Sequence, residues 1–351
     1  MKVLHCPTDT GGNPWYLSRA ERKLGIQSDM AVFKTTWLKY PADISLHFER
    51  LPLPFREVKR FLFFKRVIEK YDVFHFNFGR SILDYPFSGF LNYLDFPLLK
   101  KMGKKIVVTF QGCDARLKYF CIRNFKISAC AECDVWYCNK ILDKFKERRI
   151  QKVLRYADHV FVLNPDLLHV IPDAEFLPYC IDIHRFIEMP KRCSKETYDE
   201  RIRILHAPTS RSKKGTKYVL QAYEKLKSKK YPVELILVEK MPYEKAIKMY
   251  INADVVIDQL LVGWYGAFAV ETMALGKPVV CYLRQEDLEF LPFKDRIPII
   301  NANPYTICDV MEDIINDRDQ LNKIGKRCLK YVIDVHDPIK IAKRTIKIYI
   351  K

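Results

Sequence analysis

The sequence predicts an α/β protein built of two doubly wound lobes facing a central cleft, and three observations carry that expectation. Its 351 residues exceed what one hydrophobic core usually serves. Short apolar, β-branched runs alternate with longer amphipathic stretches, the pattern of parallel strands joined by helical crossovers, and the pattern occurs twice. Between the two occurrences, residues 178–200 show no period and include Pro190, as a linker would.

The first half reads as strands over 2–6, 30–33, 73–77, 106–110 and 159–163, with a helix from about Pro14 to Leu24. The second half reads as strands over 202–207, 233–238, 255–258, 278–282 and 299–300, with helices over 216–227, 242–251 and 267–275. The last stretch repeats Ile and Lys at helical spacing after Asp337–Pro338, an amphipathic helix able to lie across either lobe. The expected domains are therefore 1–185, 186–336 and a terminal helix over 337–351. In such folds ligands meet the carboxyl ends of the strands.

A hydrophobic content of 49% with 29% charged residues is globular composition and excludes a disordered chain. The opening apolar run, Met1 to Cys6, is too short for a signal peptide, and the uncharged run 259–270 is too short to span a bilayer. A soluble, cytoplasmic protein is expected. Sixty Lys and Arg against 42 Asp and Glu leave a formal charge of +18, which suits nucleic acid, phosphorylated ligands or peripheral contact with an anionic membrane at its inner face, and the charge does not choose among them. Nothing in the sequence matches a specific nucleic-acid-binding motif.

A phosphate-bearing ligand needs cations, backbone amides at a helix start, or both. Residues 206–215, His-Ala-Pro-Thr-Ser-Arg-Ser-Lys-Lys-Gly, run from a strand into a helix and place Arg211 and Lys214 on that loop. An exposed basic loop without a ligand is the alternative. A second strand ends at Asp258, a loop follows, and a helix starts near Ala267, so Tyr265 and Gly266 bring backbone amides towards a phosphate. Glu271, one turn inside that helix, is placed to accept two ribose hydroxyls or to serve as a partly buried carboxylate; both readings stand. His75 alternates with phenylalanines and is a packed strand residue.

Eleven cysteines without a secretion signal argue for reduced thiols. Cys121, Cys130, Cys133 and Cys138 are crowded enough for a structural zinc site, with buried thiols as the alternative.

The stretch from Tyr265-Gly266 through Glu271, Met273, Ala274, Gly276, Pro278 and Val279 resembles the donor signature of the large retaining GT-B family, glycosyltransferase family 4-like (group 1), which includes sucrose and glycogen synthases. Lys214-Gly215 is similar to that family's Lys-Gly element, and Asp9-Thr-Gly11-Gly12 to its amino-terminal glycine loop. The resemblance runs over nearly the whole chain in the right order. It implies two Rossmann-like lobes and a hexosyltransferase-like enzyme of polysaccharide biosynthesis. It also implies a nucleotide-sugar donor as substrate, no catalytic metal, and a glycan or lipid-linked acceptor.

By that resemblance Arg211 and Lys214 neutralise the leaving diphosphate, Tyr265 and Gly266 hold it through backbone amides, Glu271 binds the ribose, and Gly11 and Gly12 close over the donor. Asp114 orients the acceptor or simply forms a turn. The sequence departs from the family where a second glutamate is usual, at Gly263, where an arginine is usual, at Thr209, and where a histidine is usual, at Gln111. A glutamine cannot act as a base at neutral pH, but the leaving phosphate can take the acceptor proton. A catalytically silent sugar-nucleotide binder, a GT-B epimerase, a phosphorylase and a basic RNA-associated protein are the remaining readings.

Overall fold

The computed structural model describes residues 1–35, 40–85, 91–135, 138–189 and 201–351. The chain divides into two compact units, one of Met1–Tyr119, Tyr137–Ile181 and Pro338–Lys351, the other of Phe120–Trp136 and Asp182–Asp337. Of the expected linker, residues 190–200 lie outside the described residues.

In the first unit seven parallel strands run β1 (Lys2–Cys6), β2 (Gln27–Val32), β3 (Ile44–Ser45), β4 (Val73–Asn77), β5 (Lys105–Phe110), β6 (His159–Val162) and β7 (Glu175–Phe176). Their order in the sheet is β3-β2-β1-β4-β5-β6-β7. The central strands are buried on both faces, as β4 shows with every residue buried, because helices cover the sheet on each side. The chain winds outward from β1 to β3 and returns beside β1 as β4, so its direction reverses between β1 and β4. The edge strands β3 and β7 were absent from the sequence reading, since two residues carry no readable period.

The terminal helix Pro338–Ile350 belongs to this first unit and packs on the helix Asn13–Lys23. A buried polar network fixes it there. Glu21 accepts hydrogen bonds from Ser28 (2.7 Å), Thr345 (3.0 Å) and Tyr349 (2.9 Å), and its Oε2 lies 2.8 Å from His5 Nε2. His75 Nδ1 meets the Tyr349 hydroxyl at 2.6 Å and its Nε2 meets Thr109 at 2.6 Å. Burial holds the His75 imidazole neutral, and the strand residue expected from sequence is a link in this network.

The second unit holds five parallel strands, β8 (Ile202–His206), β9 (Val233–Leu237), β10 (Val255–Ile257), β11 (Val279–Cys281) and β12 (Ile300–Asn301), in the order β12-β11-β10-β8-β9. Here the reversal falls between β8 and β10. The helices Thr216–Ser228, Tyr243–Asn252 and Ala267–Ala274 stand within about a residue of the sequence reading. Residues 120–136, assigned to the first lobe by sequence, group instead with this unit. The Ala129 amide donates to Leu261 O (2.9 Å), Glu132 pairs with Lys217 (2.8 Å), and Arg284 donates to Ile127 O (3.0 Å). No helix among the described residues is long and apolar enough to cross a membrane.

Candidate functional site

In a doubly wound sheet the crevice at the reversal point, outside the carboxyl ends of the strands, is where ligands are met. Two loops leave the sheet there in the second unit, one after β8 and one after β10. Lys214, on the first, and Asp258, on the second, form an ion pair of 2.6 Å, with the lysine side chain 15% exposed and the aspartate buried. The other Asp258 oxygen accepts the Gly266 amide at 2.6 Å. One carboxylate thus ties the lysine of one loop to the start of the helix that follows the other. The ammonium has three donors, of which Asp258 uses one. Asp258 entered the sequence reading only as the end of a strand.

His206 closes β8 beneath this pair. Its Nδ1 donates to Ile257 O (2.8 Å) and its Nε2 accepts from Thr216 (2.9 Å), and burial lowers its pKa to about 4, so it is a neutral spacer between β8 and β10.

Glu271 lies in the helix Ala267–Ala274 and is only 3% exposed. Burial pushes its carboxyl up to about 7, opposed by a hydrogen bond from Tyr243 (2.6 Å) and by the positive field of Arg185. No other hydrogen bond reaches this carboxylate among the described residues. Tyr243 comes from the helix Tyr243–Asn252, a partner that only the packing of two helices could reveal.

The remaining residues read from sequence are placed differently. The Gly266 amide, expected at a phosphate, is taken by Asp258. Tyr265 is wholly buried, its hydroxyl bonded to Tyr331 (2.7 Å) and His336 (2.9 Å) and its ring 4.1 Å from that of Trp264, so the side chain anchors the loop in the core. Arg211 is 58% exposed and makes a two-pronged pair with Glu239, at 2.8 and 2.5 Å. Glu239 takes two of the guanidinium's five N–H donors and leaves the others to solvent or a ligand.

Gly263, the position where the family resemblance led to a glutamate, has φ 93° and lies against the buried guanidinium of Arg284: a Cβ there would fall 2.6 Å from the guanidinium carbon. Arg284 is held by Asp287 (2.6 Å), by Val262 O (3.1 Å) and by the ring of Phe125, 3.8 Å away. The space of a side chain at 263 is therefore filled from another part of the chain.

In the first unit the corresponding loops leave β1, β4 and β5. Gly11 and Gly12 both have positive φ, 67° and 71°, which L residues with side chains rarely adopt, and the glycine pair starts the helix Asn13–Lys23. A Cβ on Gly12 would meet the Tyr16 ring at 2.7 Å. Asp9, just before them, has both carboxylate oxygens buried without a well-formed hydrogen bond among the described residues. Burial pushes it up to about 7, only partly offset by the nearby Gly12 amide. Gln111 donates to Asn77 (3.4 Å), while its Oε1 is buried and accepts nothing among the described residues. Asp114 accepts from the amides of Gln111 (3.0 Å) and Gly112 (2.6 Å), a turn-forming arrangement, and its enclosed carboxyl is pushed up to about 6.

The cysteine cluster takes the alternative reading. Among the described residues no group of three or more His, Cys, Asp or Glu side chains could hold a metal ion. Cys121 and Cys130 pack with Phe125 in a small apolar cluster, and Cys133 is buried.

No family model matches the sequence, and no curated protein matches it in sequence. Solved structures do match in fold. The chain has the GT-B fold. Sucrose-phosphate synthase from Thermosynechococcus elongatus aligns with a TM-score of 0.59 at 15% identity, covering 99% of this chain and 98% of that one. The Anabaena protein HepE, solved with UDP-glucose, aligns with a TM-score of 0.62 at 11% identity over the same shares of the two chains. An alpha-glucosyltransferase solved with UDP and a mismatched 13-mer DNA gives 0.59 at 12% identity, again covering 99% and 98%. These identities are low, and the likeness is one of GT-B architecture.

Proposed function

We propose that the protein transfers a sugar from a nucleotide-sugar donor to a glycan or lipid-linked acceptor with retention of configuration. The observation that carries this reading is the constellation at the reversal point of the second sheet, where Lys214 is held by Asp258 and Glu271 lies buried one helical turn beyond the Gly266 amide. A nucleoside diphosphate offers what these groups lack, namely anionic oxygens for a partly buried ammonium and a diol for a buried carboxyl. Solved structures of the same fold carry UDP or UDP-glucose, which supports the reading.

In the proposed reaction the bond between the sugar's anomeric carbon and the diphosphate breaks, and negative charge grows on the leaving oxygens. Lys214 stabilises that charge from a position already fixed by Asp258, so little reorganisation is needed as the bond breaks. Arg211 assists from the loop's outer side. The acceptor hydroxyl attacks the face the diphosphate leaves, its proton passes to the departing phosphate, and the product keeps its configuration. Gln111 contributes hydrogen bonds and no base chemistry. Asp114 orients the acceptor through the turn it fixes.

A thermal-shift screen against UDP-, GDP-, ADP- and TDP-sugars tests the reading. A donor at a hundred times its dissociation constant should stabilise the protein by about 2.7 kcal/mol. No stabilisation by any of the four would remove the donor site. For a donor that binds, the anomeric configuration of the transferred sugar, read by NMR, decides retention.

A further inference from the structure

Many of the protein's large exposed apolar side chains sit on one helix, Leu53–Lys70 of the first unit. Its inner face is an ordinary core face, with Phe63, Phe64, Val67 and Ile68 buried and the Arg60 guanidinium donating to Ile82 O and Asp84 O, both at 3.2 Å. The outer face is not the polar surface such a helix usually turns to water. Phe55 is 67% exposed, Phe61 59%, Leu62 58% and Val58 58%. At 100° per residue these four lie within one stripe, and the exposed Lys65 and Arg66 stand on the same side. Neither cation has a carboxylate partner among the described residues. Glu69 is the one exposed acid on that face, at its carboxyl-terminal end.

We infer that this helix is the protein's docking surface for an anionic lipid bilayer, lying in the interface with Phe55, Val58, Phe61 and Leu62 among the acyl chains and Lys65 and Arg66 at the headgroups. An 18-residue helix held to a folded unit by its other face presents a convex strip about 27 Å long. Such a strip suits a planar interface, where apolar rings enter and cations remain with phosphate. A second copy of the chain fits less well. A two-fold self-pairing of this face would gather Lys65 and Arg66 of both copies in one contact, with only Glu69 of each to offset them. The net charge of +18 acts in the same direction as the local cations.

The inference goes beyond the transferase reading and is tested without donor or acceptor. The full chain is sedimented with vesicles of phosphatidylcholine alone and with mixed phosphatidylcholine and phosphatidylglycerol vesicles. Binding is expected to the mixed vesicles, at least about tenfold stronger than to phosphatidylcholine, and weakened by salt as the Debye length shrinks. Phe55→Ser with Phe61→Ser, and separately Lys65→Glu with Arg66→Glu, should each lower it about tenfold or more. These side chains are exposed, so circular dichroism and the melting temperature should stay as in the wild type. Failure of the wild type to bind mixed vesicles overturns the inference, as does unchanged binding by both variants. It is overturned too if the Phe variant abolishes a dimer seen by analytical ultracentrifugation while lipid binding persists.

Discussion

The two reversal points make an instructive pair. At the one in the second unit, Asp258 satisfies both Lys214 and the Gly266 amide, and His206 bridges Ile257 and Thr216. In the first unit, Asp9 beyond β1 has only the nearby Gly12 amide to offset its burial, and Gln111 Oε1 beyond β5 is buried with no acceptor role among the described residues. Buried polar atoms left unsatisfied destabilise a fold, whereas a satisfied network fixes one geometry. The Lys214–Asp258 corner of the second unit is thus pre-organised by its own side chains, while Asp9 in the first unit, like Glu271 deeper in the second, is a carboxyl that burial pushes up to about 7. Such a cost persists where a group serves a ligand.

The largest expected effect is on the pH dependence of stability. Asp9 has a folded pKa raised from 3.8 to about 7, so the folded state binds more protons than the unfolded one between those values. Stability then falls as pH rises from about 4 to about 7, with no penalty below that window and the whole of it above, on the order of 3–4 kcal/mol from this group. Asp9→Asn should make that limb shallower in denaturant titrations, the remainder coming from Glu271 and Asp114, whose carboxyls burial also pushes up. An unchanged pH profile would mean that Asp9 is solvated, and the contrast between the two sites would lose its main support.

Next in size is Lys214→Ala, expected to lower kcat/KM about a hundredfold, with Arg211→Ala falling by less because its guanidinium is exposed and already paired with Glu239. Steady-state kinetics with the donor found by the thermal screen check the ranking. Equal losses would show that prior engagement by Asp258 confers nothing on Lys214.

Gly263→Ala should then destabilise the second unit by about 1–3 kcal/mol, through backbone strain at positive φ and overlap with a guanidinium that Asp287 and Val262 hold in place. Urea unfolding of the variant measures it. A neutral result would mean that Arg284 swings aside freely.

The smallest effect, about tenfold in donor affinity, is expected for Glu271→Ala, with Glu271→Gln losing less because Tyr243 keeps an acceptor. Calorimetric titration with ribose and deoxyribose donors forms a double-mutant cycle with the alanine variant. A deoxy penalty of the same size in wild type and Glu271→Ala would leave Glu271 a structural carboxyl held by Tyr243.

Much of the architecture was legible in the sequence because a parallel sheet covered on both faces demands contiguous apolar runs, and β1, β4 and β8 to β11 show them at nearly the observed bounds. The two-residue edge strands carried no such signal. Lys214 and Glu271 were readable as polar residues at strand-to-helix junctions, where the order of elements alone places them near a ligand. Their partners were not: Asp258 is 44 residues from Lys214, and Tyr243 is 28 from Glu271.

What the sequence by itself determined was therefore local: where strands and helices lie, which loops leave their carboxyl ends, and that chemistry-bearing residues sit on those loops. Tertiary structure alone decided which of those residues meet. It turned Tyr265 into the core through Tyr331 and His336, packed Cys121 and Cys130 with Phe125, and brought Arg284 over Gly263. It also seated the terminal helix on the first unit through Glu21, 328 residues from Tyr349. The physical reason is one of range. Secondary structure follows from backbone sterics and the period of burial within a few residues, whereas a hydrogen bond or ion pair forms between whichever groups the packed sheets bring within about 3 Å, and sequence distance does not enter.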